Sequence, residues 1–120
     1  MSLTVVVPFP NAHLLPNSAR RLHWRVRAEY AKPARMEGWV ETLNVLGGRE
    51  FVCGAFLPLD ITFCEPNKRA RDLDGMLSAL KPTLDGVAEA LEIDDKKFNP
   101  ITLRRGDIVT GGQVILKIGG

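Results

Sequence analysis

The stretch KRARDLDGMLSALKPTLDGVAEALEIDDKK, residues 68 to 97, decides both how the chain is built and where its chemistry lies. Leu77, Leu80, Leu84, Val87, Ala88 and Leu91 recur at helical spacing, which predicts an amphipathic helix over about residues 75 to 91. Asp74, Lys81 and Asp85 stand seven and four residues apart and share a different face of it. Pro82 predicts a kink, or a regular helix confined to the residues after it. Seven of the fourteen acidic residues fall between Asp72 and Asp95, while Lys68, Arg69 and Arg71 precede them and Lys96 and Lys97 close the stretch.

Working outward, Leu3 to Val7 is apolar and β-branched and reads as a first strand, ended by Pro8 and Pro10. Residues 11 to 18 have loop chemistry. From Ala19 to Leu46 the pattern turns helical, with Leu22, Val26, Trp39, Leu43 and Leu46 as expected core positions, a break near Pro33 and a stop at Gly47-Gly48. Residues 51 to 63 read as one or two strands, Leu59 to Phe63 being the better half. Phe98 to Leu103 reads as another strand, interrupted by Pro100, and Gln113 to Ile118 as the last. The order β, α, β, α, β, β predicts an α/β (α+β) fold, a small mixed sheet with two main helices packed on it. At 120 residues the chain reads as one domain, 1 to 120.

A net charge of +2 is only weakly suggestive of a polyanionic partner, because local patches matter more than totals. Cys53 and Cys64 lack metal-ligand spacing and read as reduced core thiols of a cytoplasmic protein. The first ten residues do not read as a secretory leader, and no stretch has the length and apolarity of a membrane span.

The chemistry concentrates where the predicted helix begins. In an extended segment, residues two apart face the same way, so Asp72 and Asp74 can converge on one hard divalent cation. Asp94 and Asp95 form a second acidic pair expected to return to the first. Lysines and arginines on both flanks suit a polyanion, and acid between base is the arrangement of a metal-dependent phosphodiesterase. Lys81 is placed to offset charge developing on a phosphate. Structural readings of the same residues stand beside these. Asp74 fits a helix N-cap, Asp-Asp-Lys-Lys fits a surface turn, and Lys81 fits an ion pair with Asp85. Arg20, Arg21, Arg25 and Arg27 fit a solvated face or a DNA contact, and Trp24 fits the core or a stacking platform. Both histidines precede residue 24, so zinc motifs are absent and a Ser-His-Asp arrangement is poorly supplied. The phosphate-loop and dinucleotide glycine patterns are also absent, which argues against a nucleotide cofactor.

The chain resembles the RusA family of phage-encoded Holliday junction resolvases. The resemblance rests on R-D-L-D at 71 to 74, Lys81, L-D-G at 84 to 86 and I-D-D at 93 to 95. L-H-W-R-V-R-A at 22 to 28 and T-G-G at 110 to 112 also fit. It implies a RusA-like fold assembled as a homodimer. It also implies Mg²⁺-dependent (or Mn²⁺-dependent) resolution of four-way DNA junctions by paired symmetric nicks, in DNA recombination and repair. Asp72, Asp74 and Asp95 would bind the metal, with Asp94 as a supporting neighbour and Lys81 as the catalytic lysine. Lys68, Arg69, Arg71, Lys96 and Lys97 would contact DNA. The family's usual Asn after the second aspartate is Gly75 here, and Ser78 stands where the enterobacterial pattern has its lysine. The alternatives are a catalytically inactive RusA-like DNA-binding module and a phage accessory protein.

Overall fold

The computed structural model describes residues 2 to 119. Strand β1 (Leu3–Val7) leads through a 3-10 turn to a one-turn helix α1 (Pro16–Ala19) and a long helix α2 (Trp24–Leu46). Strand β2 (Leu57–Cys64), helix α3 (Leu73–Leu91), and strands β3 (Phe98–Arg105) and β4 (Gln113–Ile118) complete the chain. The strands form one mixed sheet in the order β1-β4-β2-β3. β4 runs antiparallel to β1 and β2, and β3 pairs parallel with β2. A parallel pair needs a crossover, and α3 supplies it. The expected α/β (α+β) class, a small mixed sheet with two main helices, is the one observed.

One face of the sheet is apolar by strict alternation. Leu3, Val5 and Val7 meet Leu59, Ile61 and Phe63, and Val114, Leu116 and Ile118. Against them α3 lays Met76, Leu80, Leu84, Val87 and Leu91, each burial contributing about 1.5–3 kcal/mol. The apolar stripe expected of this helix is therefore its buried face, and the helix continues through Pro82 rather than being confined to the residues after it. Its first turn begins two residues earlier than the stripe indicates, at Leu73.

Helix α2 departs from expectation in three ways. It starts at Trp24 rather than Ala19, because residues 20 to 23 turn the chain between α1 and α2. It continues through Pro33, and ends as predicted at Gly47, which takes the left-handed conformation (φ 59°) suited to a helix stop. Its buried face is Ala34, Gly38, Thr42 and Leu46. Of the expected core positions, Leu46 alone is fully buried, while Val26, Trp39 and Leu43 are exposed. The reason is a close crossing. A Cβ on Gly38 would collide with the Thr83 carbonyl of α3, and one on Gly86 with the Arg35 carbonyl of α2. Small residues let the two backbones touch, so large ones are turned outward.

Residues 51 to 56 form no strand, which leaves a single strand from Leu57. Pro100 is accommodated in β3 because that strand lies at the sheet's edge, where a missing N–H is tolerated.

Candidate functional site

Residues 65 to 72 link β2 to α3, and the conformation of this link sets the site. The carboxylate of Glu65 is largely covered, with 13% of the side chain exposed, and takes an arginine on each oxygen. Arg71 Nη1 lies 3.3 Å from Oε1, and Arg105 Nε, from the end of β3, 3.3 Å from Oε2. Arg71 also donates to the Asn67 Oδ1 at 3.1 Å and to the carbonyl of Arg69 at 3.3 Å. Its guanidinium lies over the Phe9 ring, 5.3 Å from the centroid. Arg105 in turn donates to the Arg71 carbonyl, immediately before Asp72. Gly112 (φ 73°) closes this side, since a Cβ there would stand 2.7 Å from Phe9 Cβ.

Asp72 is the N-cap of α3 by backbone position, in an extended conformation (φ −91°, ψ 145°), but its side chain makes no capping bond. The reading of Asp74 as N-cap does not hold. Asp74 lies inside the first turn, and its Oδ1 accepts from the Gly75 N–H at 3.0 Å. Both carboxylates are exposed and border a groove of about 700 Å³ between residues 9 to 20 and 66 to 75. Arg20, Arg69 and Arg71 line the same groove. The positive end of α3 favours negative charge at this end.

Lys81 is exposed on the face it was expected to share with Asp74, seven residues and so about 10.5 Å along the axis. Among the described residues it forms no ion pair with Asp85.

Asp94, Asp95, Lys96 and Lys97 stand at the other end. After α3 closes at Glu92, in the left-handed region (φ 57°), Asp94 Oδ1 accepts from the Lys96 N–H at 2.9 Å and caps a 3-10 turn over Asp95–Lys97. That backbone bond, then the Asp95 side chain and the charges of Lys96 and Lys97, hold the Asp94 carboxyl below its ordinary range. Eighteen residues of helical rise between Leu73 and Leu91 come to about 27 Å. The second acidic pair therefore does not return to the first within one chain. Among the described residues no group of three or more His, Cys, Asp or Glu is placed to hold a metal. The four-aspartate convergence expected from the sequence is replaced by two separate pairs, because the helix between them is continuous from Leu73 to Leu91. Asp72 and Asp74 alone still fit Mg²⁺, which takes one or two carboxylates and completes its shell with water and phosphate oxygens.

Trp24 is 61% exposed, with Arg25 over its ring at 5.2 Å, so it is not a core residue. Cys64 is buried, Cys53 is half-buried, and both are free thiols. No helix of the described residues is long and apolar enough to cross a membrane. Sequence reasoning did not find Glu65, Arg105 or Phe9, which are brought together from three strand ends with no local pattern to mark them. It placed Arg20 in a long helix, whereas the P-N-S-A-R turn carries it onto the groove wall.

Fold and site together define a small mixed-sheet domain with an exposed aspartate pair opening its second long helix. No family model matches the chain. The chain belongs to the same family as a protein of Xylella fastidiosa (strain Temecula1 / ATCC 700964) described as uncharacterized. The two are 35% identical over 123 residues, spanning 98% of this chain and 76% of the relative.

Proposed function

We propose that this protein is a metal-dependent endodeoxyribonuclease acting on four-way or other branched DNA, of the RusA kind, and that it works as a homodimer. The observation that carries this reading is the Asp72/Asp74 pair, exposed on a groove it shares with Arg20 and Arg69. Neither carboxylate is matched by an ion pair among the described residues, so both are available to a cation.

Asp72 and Asp74 would hold Mg²⁺, or Mn²⁺ in its place. A bound divalent ion supplies the positive charge that activates water and stabilises an in-line displacement at phosphorus. The chain's own residues do the rest. Arg20, Arg69 and Lys68 hold backbone phosphates and set the register of the strand. Lys81, on the Asp74 face of α3, offsets the charge that develops on the phosphate.

The length of α3, about 27 Å, stands between the acidic pairs and supports a site shared between two chains. A third carboxylate at Asp72/Asp74 would then be Asp95 of a second copy, with Asp94, Lys96 and Lys97 beside it. Two such sites related by a twofold axis match two symmetric nicks across one junction. The same separation is what favours the rival reading, a RusA-like DNA-binding module without catalysis.

Cleavage of a labelled four-way junction and of a linear duplex of the same sequence, in Mg²⁺ and in chelator, separates the two. Paired, Mg²⁺-dependent nicks confined to the junction are expected. Tight junction binding with no cleavage in Mg²⁺ or Mn²⁺ would leave only the binding module.

A further inference from the structure

We infer that Glu65, Arg71 and Arg105 form a clamp that positions the Asp72/Asp74 carboxylates, and that Arg71 is a positioning residue rather than a phosphate contact. The role assigned to the clamp rests on the nuclease reading above; its geometry does not.

Arg71 follows Lys68 and Arg69 in sequence and has the charge of a DNA contact, but its surroundings are those of a strut. Only 10% of its side chain is exposed. One face of the guanidinium lies over Phe9, and its edge is taken by Glu65, by the Asn67 side chain and by the Asn67 and Arg69 carbonyls. A guanidinium recognises phosphate through a free fork of N–H groups, and here both Nη groups already have acceptors within the chain. Arg69 lines the same groove as Arg71 but is exposed, and among the described residues its side chain makes no hydrogen bond, its backbone N–H donating to Asn67 Oδ1 at 3.0 Å.

Glu65 is the hub. A carboxylate this covered is costly to keep charged unless both oxygens are paired, and here each takes one arginine. Its backbone carbonyl also accepts from Val109 N–H at 3.0 Å, which ties the β3–β4 loop to the same point. Through Arg105 the clamp reaches the carbonyl of Arg71, one peptide unit before Asp72. The Asp72 side chain has no capping bond of its own, so its placement is inherited from that peptide unit. A metal-binding pair has to be held within a fraction of an ångström, and here the hold comes from the ends of β1, β2 and β3.

The test uses the full-length protein carrying Glu65→Gln, which keeps size and loses charge, and Arg105→Gln at the half-exposed end of the clamp, so that one variant survives if the other does not fold. Arg71→Gln and Arg69→Gln complete the set. In either clamp variant, amide exchange at Arg69 and Val109 should quicken about tenfold while β1 and β4 stay protected. Junction kcat should fall by about 100-fold, with KM changed far less, because misplacement of about an ångström costs that much. The salt dependence of junction binding should be unchanged by Arg71→Gln and should drop by about one ion with Arg69→Gln; an equal drop with Arg71→Gln would make Arg71 a phosphate contact and overturn its positioning role. Unchanged exchange at Arg69 and Val109 in both clamp variants overturns the clamp, as does faster exchange with undiminished kcat. A wild-type protein that neither binds nor cuts junctions removes the nuclease reading instead, and exchange still decides whether the clamp exists.

Discussion

Gly38 of α2 sits against the Thr83 carbonyl of α3 with no room between them for a methyl group. The obstacle is backbone, which cannot swing aside as a side chain would. Gly38→Ala should therefore destabilise the fold by about 3 kcal/mol, at the upper end of overpacking costs, read from denaturant unfolding. An unchanged midpoint would mean that the helices do not cross here.

The face of α2 gives a paired prediction. Leu46 is 4% exposed and Leu43 is 38% exposed. Leu46→Ala should cost about 2–5 kcal/mol, and Leu43→Ala in the isolated chain under about 1 kcal/mol. Equal costs would mean that the helix is rotated relative to the sheet.

These residues also mark what the sequence disclosed and what it did not. The β1 and β4 strands and the α3 stripe were legible because one period of large apolar residues met one apolar layer. The face of α2 was not, because α2 buries alanine, glycine and threonine against another helix and exposes its tryptophans. Hydrophobicity ranks those residues the wrong way round, and only the crossing at Gly38 and Gly86 explains them. At the site, Asp72, Asp74 and Lys81 were legible as a local motif, and the structure puts them on one end and one face of α3. The distance from Asp72 to Asp95 depended on whether Pro82 interrupts the helix. Glu65 and Arg105 are forty residues apart, beyond any local pattern.

Asp94 should leave a signature in acid. Its folded-state pKa is lowered, chiefly by the Lys96 N–H, so its contribution to stability is present above the ordinary carboxylate value and is lost as pH falls through the depressed one. The gap in melting temperature between wild type and Asp94→Ala should be open at neutral pH and shrink below about pH 4. A gap that widens on acidification would contradict the cap.

Sharing of the site between two chains is open to complementation. Asp74→Asn and Asp95→Asn should each be inactive alone. In a mixed dimer of the two, one site carries both substitutions and the other carries neither, so mixing should restore single nicks. No restoration, from variants shown to exchange subunits, would place all three carboxylates in one chain's site or deny Asp95 a part.

The most direct measurement compares wild type with Asp74→Asn on a labelled four-way junction, scoring binding and Mg²⁺-dependent cleavage in the same samples. Wild type should bind and cut with paired nicks, while Asp74→Asn binds as tightly and does not cut. Cleavage by Asp74→Asn at the wild-type rate would show that the aspartate pair at the head of α3 is not the catalytic site.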